Sequence, residues 1–218
     1  MSKAQPRIMK ITDITQQIKN PKRYSVFIDN RFAFGIHGTD LLINGLEIGQ
    51  TLDKEQLEKI RREVEFAAAR DSAVKYLGRG MKSIKQVEDK LAEKEYSAES
   101  IQEVVELLSQ RGYLDDVAYA TAFINQKTKL NNFGRYRIEQ ELRGKGVSEG
   151  DIQTAYQNMQ DDGDAESDLT LAIRAIEKKV RHKGLPDDPK ELQKLKSYLA
   201  RRGFDFETID KVLEETED

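Results

Sequence analysis

The side chains best suited to act on something are cations. Arg79, Lys82 and Lys85, then Lys127, Lys129, Arg135 and Arg137, then Lys178, Lys179, Arg181 and Lys183 gather at three places along 218 residues, and Arg143 extends the middle group. Groups of this kind hold phosphates or an acidic protein face, because a fixed row of positive charge displaces counterions from a polyanion. Ordinary solvation of exposed helix faces is the competing explanation for any one of them. Other chemistries fail on composition or spacing. There is no cysteine, so disulfides, thiolate nucleophiles and cysteine-ligated zinc are excluded. His37 follows a strand pattern and His182 sits at a basic helix end, and neither has a partner at triad or ligand spacing. Gly78-Arg-Gly-Met-Lys-Ser83 resembles the end of a phosphate loop but lacks the full glycine-to-lysine spacing and follows a helix instead of a strand. Asp115-Asp116 stands directly before an apolar helix, where carboxylates serve as caps for exposed amides. The reading is a non-enzyme with no catalytic residue, no metal and no cofactor.

What must position the cations is a repeat. Leu91, Leu142 and Leu199 stand 51 and 57 residues apart, and each is followed ten positions later by an isoleucine (Ile101, Ile152, Ile209), with Ser97, Ser148 or Asp205 as the capping residue between. A unit of that length, used three times, predicts a mainly α protein of tandem three-helix repeats stacked into an elongated, curved array. The basic groups fall at or near the junction of first and second helices in each copy. Stacking would bring equivalent junctions to one edge as a continuous stripe. Apolar residues at 38% and charged residues at 34% suit thin helical layers.

The formal charge of −3 conceals segregation. Lys127, Lys129, Arg135, Arg137, Arg143 and Lys145 face only Glu139 and Glu141 in their stretch, whereas residues 161–168 and the tail from Asp205 are acidic. Such a molecule can meet nucleic acid locally without coating DNA indiscriminately. No run approaches 18 apolar residues and no signal-peptide core is visible, which predicts a cytoplasmic protein without a membrane partner.

Residues 1–52 differ from the rest. Tyr24, Val26 and Ile28 alternate, Asp29-Asn30 marks a turn, and Phe32, Phe34 and Ile36 alternate again, a β-hairpin to which Ile8, Ile11 and Ile14 add a third strand or an edge. Leu41-Leu42-Ile43 predicts a helical turn ended by Asn44-Gly45. Repeat 1 spans 53–113, opening at Asp53 with Gln56 in capping-box position and a seam of Leu57, Ile60, Val64, Ala67 and Val74 as far as Leu77, where Gly78 and Gly80 end the helix in left-handed conformations. Ser83 and Ser97 cap its second and third helices. Repeat 2 spans 114–160 and repeat 3 spans 164–218, joined by a hinge at Asp161–Asp164. Lys145-Gly146 and Arg202-Gly203 form the sharp turns between second and third helices, their glycines structural.

Gly112-Tyr-Leu-Asp-Asp116 with Ala118-Tyr-Ala120, then Gly134-Arg-Tyr-Arg-Ile-Glu-Gln-Glu-Leu142-Arg-Gly-Lys-Gly146, resembles the core of the RecX regulatory proteins, and Tyr198-Leu-Ala-Arg-Arg-Gly-Phe204 is similar to that family's C-terminal repeat. The resemblance covers roughly residues 60–215 and departs from the family at Gln86-Val87. It implies a monomeric modulator of the bacterial RecA recombinase that binds in the groove of the RecA–DNA filament, reaches DNA through the filament, and restrains ATP hydrolysis and strand exchange in recombination, DNA repair and the SOS response. Two alternatives stand beside it: a DNA binder that needs no recombinase, and a helical scaffold that holds a peptide.

Overall fold

The computed structural model describes residues 8–180 and 184–217. Its N-terminal part is a four-stranded antiparallel sheet of β1 (Met9–Gln17), β2 (Asn20–Ile28), β3 (Arg31–His37) and β4 (Thr51–Leu52), in the order β3-β2-β1-β4. The expected hairpin is β2–β3. Asp29 and Asn30 both take positive φ, 49° and 61°, as a two-residue turn between twisted strands requires. The third strand forms as β1, and β4 was not foreseen because two residues are too few to show alternation. Ile11, Val26, Ile28, Phe34 and Ile36 turn one face of the sheet inward onto Leu46, Leu52, Leu57, Ile60 and Val64. The helical turn is α1 (Gly38–Ile43), closed by Gly45 at φ 57°.

The helix α2 (Lys54–Leu77) begins on a complete capping box, with the Gln56 amide donating to Asp53 Oδ1 at 2.8 Å and the Asp53 amide to Gln56 Oε1 at 3.0 Å. Two expectations about it change. The buried seam runs Leu57, Ile60, Val64, Ala69, Ala73, while Val74 is exposed and Ala67 only half-buried. The five-residue step after Val64 rotates the seam, since the first half of the helix packs on the sheet and the second meets Tyr96, whose hydroxyl donates to the Ala68 carbonyl at 3.1 Å. And Gly78 closes the helix in right-handed conformation, φ −60°; the left-handed residue is Gly80, φ 119°.

The chain divides into two compact units. One runs as far as Arg79 and includes Lys90–Leu107; the other comprises Gly80–Asp89 and everything from Leu108 onward. The division passes through α3 (Ile84–Ala92) and α4 (Ala98–Gln110), capped as expected by Ser83 and Ser97. The second unit continues with α5 (Asp116–Asn131), α6 (Arg135–Arg143), α7 (Glu149–Asp161), α8 (Asp168–Val180), α9 (Pro189–Arg202) and α10 (Phe206–Glu217). Leu142, Val147 and Ile152 are buried in one core and Leu199, Phe204 and Ile209 in the next, so the sequence repeat is a repeat of packing.

Joints between successive repeats are built twice on one plan. Asp115 caps α5 as expected, accepting from the Ala118 amide at 2.9 Å, but Asp116 does not: its carboxylate accepts from the Ile84 amide at 2.9 Å, at the start of α3. Asp168 repeats the arrangement, taking the Arg135 amide on both oxygens at 3.1 and 3.2 Å. The helix α6 needs this outside cap because its own N-cap, Gly134, has no side chain, and a Cβ there would stand 2.5 Å from the Gly203 carbonyl oxygen. Gly146 and Gly203, φ 81° and 92°, are structural for two reasons: a left-handed backbone, and a Cβ that would fall 2.2 Å from Lys85 Cβ and 2.4 Å from Arg137 Cβ, respectively.

Candidate functional site

Within the second unit, cations and aromatic rings alternate in one connected chain. At one end the Phe123 ring on α5, stacked on Tyr119 at 6.2 Å, receives Lys145 Nζ at 5.5 Å and Lys127 Nζ at 4.9 Å. Lys127 also reaches Phe133, at 5.5 Å, in the α5–α6 loop. Phe133 is the hub, with Arg137 Cζ at 3.8 Å and Arg202 Cζ at 5.5 Å. Arg202 passes the chain to Tyr198 at 4.7 Å, and Lys179 Nζ ends it at 5.4 Å from the same ring. Each contact is worth about 0.5–1 kcal/mol at an exposed site, which helps to hold a long side chain in place.

A single carboxylate sits inside the chain. Glu141 binds Lys127 at 2.6 Å and Arg137 at 3.2 Å; its burial alone would raise its pKa, but the two cations outweigh that and keep it below the usual carboxylate range. Arg137 Nη1 donates to the Arg201 carbonyl at 2.8 Å, and Arg202 donates to the Asn131 and Asn132 carbonyls at the end of α5, so both guanidinium groups also stitch repeats two and three.

The predicted stripe divides here. Arg135 lies two residues from Arg137 on α6 and faces another way. It packs over Tyr156 at 4.2 Å and binds Glu139 at 2.6 Å and Gln153 at 2.8 Å. Arg143, two turns along the same row, pairs with Glu139 at 3.1 Å and Glu149 at 2.7 Å; Glu149 holds the Arg143 pKa up while Arg143 holds that of Glu149 down. Lys85 is taken by Asp89 at 2.9 Å, and Lys82 donates to the Gly80 and Met81 carbonyls at 3.2 Å each. Arg79, Lys129 and Lys178 are exposed, with no acidic partner among the described residues. Arg181 and Lys183 lie outside the described residues, as does His182.

Five residues of the chain were not foreseen as site members: Phe123, Phe133, Lys145, Tyr198 and Arg202. A local signal existed, because Phe123–Lys127 and Tyr198–Arg202 are ring-to-cation pairs at i, i+4, which share a helix face. Among the described residues no cluster of three or more histidine and carboxylate groups could hold a metal, and no helix is long and apolar enough to cross a membrane.

Family models match the chain almost end to end. The RecX N-terminal domain matches residues 9–53, and the first, second and third RecX three-helix domains match 69–108, 115–155 and 166–213. The protein called regulatory protein RecX from Bacillus pumilus is 32% identical over 95% of this chain and 78% of its own length, and that from Leuconostoc mesenteroides 34% over 96% and 78%. The chain belongs to the RecX regulatory protein family. A crystal structure of regulatory protein RecX superposes with a TM-score of 0.66 at 25% identity, covering 94% of this chain and 98% of its own. RecX from Lactobacillus salivarius shares the fold, with a TM-score of 0.60 over 70% of this chain and 97% of the other. The cation–ring chain thus belongs to the second and third RecX three-helix domains.

Proposed function

We propose that this RecX protein regulates the RecA recombinase, acting as a monomer in the groove of the RecA–DNA filament, where it bridges neighbouring subunits and restrains ATP hydrolysis and strand exchange. Family membership supports the choice of target. The observation that carries the mode of binding is the alternating chain through Lys145, Lys127, Arg137, Arg202 and Lys179, in which Glu141 pairs with Lys127 and Arg137 alone. Charges pinned on rings are preorganised for phosphate oxygens or for carboxylates of a protein wall, and ordering them on binding costs little further entropy. In this reading the protein works in the cytoplasm, performs no covalent chemistry, and folds as modules divided near residues 52, 113 and 160–164.

The contributions of the predicted residues follow from their partners. Arg135, Arg137, Arg143, Lys85 and Lys127 are engaged within the chain and shape the surface; Arg79, Lys129, Lys178 and Lys179 are freer to meet a partner. Charge reversal at Lys129, Lys178 and Lys179 together therefore tests binding without dismantling the fold. RecA ATPase on single-stranded DNA, titrated with wild type and with K129E/K178E/K179E at several salt concentrations, is the measurement. The variant should lose inhibition, and wild-type inhibition should weaken as salt rises. Superimposable inhibition curves would remove this surface from the mechanism. Tight binding to bare DNA with no effect on the filament would favour the recombinase-independent alternative.

A further inference from the structure

The third three-helix domain has a cleft that its own core leaves unfilled. Lys194, Leu195, Tyr198 and Arg201 recur at three- and four-residue steps on α9 and so share one face. Lys179 and Val180, at the end of α8, form a second wall, and Leu185 with Pro186 a third. The space among them is about 510 Å³, within the range of pockets that enclose a ligand. Val180, Leu185 and Tyr198 pack against the core of this domain, yet each is only half-buried. The apolar walls are therefore held from behind and open in front, and a guest meets them already in place.

The rim is cationic. Its carboxylate, Glu191, is engaged by Lys194 at 2.6 Å, while Lys179 and Arg201 are exposed with no acidic partner among the described residues. Aliphatic walls beneath such a rim fit an acidic chain that carries one apolar side chain. A nucleotide strand fits less well, because a base needs a ring face, and the ring in the cleft, Tyr198, already carries Lys179 at 5.4 Å and Arg202 at 4.7 Å. Nor is the guest this chain's own acidic tail. Phe206–Glu217 is α10, and Ile209, Val212 and Leu213 bury it in the core of the same domain.

We propose that this cleft docks an acidic segment of another protein, seating one leucine-sized side chain against Val180, Leu185 and Leu195 with the flanking carboxylates on Lys179 and Arg201. The apolar anchor supplies affinity, and the rim charges fix the orientation of the segment. The cleft shares Lys179 and Tyr198 with the end of the cation–ring chain, but its aliphatic walls lie outside that chain. The partner need not be the recombinase.

The test titrates the full chain, labelled at its methyl groups, with the capped peptide Asp-Glu-Leu-Glu-Asp and follows the methyl resonances by NMR. Those of Val180, Leu185 and Leu195 should move and saturate. Replacing the peptide's leucine by alanine should weaken binding by roughly 10- to 50-fold, the range for removing three buried carbons. The R201E variant should weaken the leucine peptide by about 5-fold at low salt, a difference that should disappear near about 1 M salt. Arg201 is exposed, so R201E should keep the wild-type circular dichroism melt. Resonances that stay still overturn the proposal, as does equal affinity for the alanine peptide or for Lys-Lys-Leu-Lys-Lys. An oligothymidylate of about 10 nucleotides that moves the same three methyl groups would overturn it too, by making the guest a nucleic acid. The readout needs neither recombinase nor DNA filament, so it can fail while the RecA ATPase result stands, and the reverse.

Discussion

Asp168 offers a test of how the repeats are joined. Its carboxylate is the outside cap of α6, accepting the Arg135 amide on both oxygens, and its pKa is raised above the ordinary aspartate value. Burial is the main cause; the Arg135 hydrogen bond opposes it, and the nearby Asp205 carboxylate adds to it. A group whose folded pKa is raised contributes stability below the unfolded pKa and loses it as pH rises through the folded value. At neutral pH, then, the oxygen acceptor at this position is an asset while the charge on it is a liability. D168A removes the acceptor and leaves a part-buried amide without its partner, at a cost of about 1–2 kcal/mol. For a chain of this size that lowers the midpoint by roughly 2–4 °C per kcal/mol. D168N keeps a carbonyl oxygen facing the amide and removes the charge, so its stability at neutral pH should equal or exceed wild type, with the advantage shrinking on acidification as Asp168 itself protonates. Thermal and urea unfolding of the three proteins at about pH 7 and about pH 3.5 gives the comparison. If D168N falls as far as D168A at neutral pH, the charge is needed and the account of the joint is wrong. Asp116, raised for the same first cause and capping α3 in the same manner, should show the same order of effects in D116A and D116N.

Three further outcomes follow from contacts in the second unit. G146A and G203A combine a positive φ with a collision against a near-backbone Cβ, so each should cost more than about 2 kcal/mol by urea denaturation, whereas G163A, at φ 75° with open space around its Cβ position, should cost only about 1 kcal/mol. Y156F should be neutral or slightly stabilising in the same assay, because the buried Tyr156 hydroxyl has no hydrogen-bond partner among the described residues; a loss above about 1 kcal/mol would mean that the hydroxyl is satisfied. Glu141, whose pKa is depressed, contributes stability above its unfolded pKa that is lost as pH falls through the folded value, so E141Q should be destabilised by about 1 kcal/mol at neutral pH and the deficit should shrink on acidification; a deficit that does not shrink would point to packing and not charge.

The sequence made legible what is local in the chain. Asp53 with Gln56, Ser83 with Gln86 and Ser148 with the Asp151 amide are caps whose donor and acceptor lie three residues apart, and each formed as read. The β2–β3 hairpin was readable for the same reason. What escaped were contacts across 32 or 33 residues, the Asp116 and Asp168 caps, since an aspartate at the start of a helix carries no sign that it serves another helix. The rotated seam of α2 escaped because periodicity assumes one neighbour along the whole helix, and α2 has two. The basic groups were visible as residue types, but their i+4 acids were on the page as well: Arg137 with Glu141, Arg135 with Glu139, Lys85 with Asp89. A row of cations interleaved with acids at that spacing predicts neutralised pairs as readily as it predicts a stripe.

The joints also separate scaffold from chemistry. Both have a carboxylate cap and a left-handed glycine pressed against the preceding repeat, so the mechanical solution is copied. The cation–ring chain is not copied. At the 51-residue spacing, Phe133 and Arg137 correspond to Lys82 and Gln86, and at the 57-residue spacing Arg202 corresponds to Lys145. The hub ring and its closest guanidinium therefore exist only between repeats two and three, although the backbone that would display them exists twice. Aspartate and glycine substitutions should accordingly perturb the two joints alike, while F133A, which removes the ring shared by Lys127, Arg137 and Arg202, should act at one joint alone. A cost of about 2 kcal/mol, from three cation contacts and partial burial, is expected on unfolding. A double-mutant cycle between Phe133 and Arg137 should show coupling of about 0.5–1 kcal/mol. If coupling is absent while the ATPase phenotype of K129E/K178E/K179E stands, the surface binds through its exposed lysines and the ring chain is only mortar between repeats.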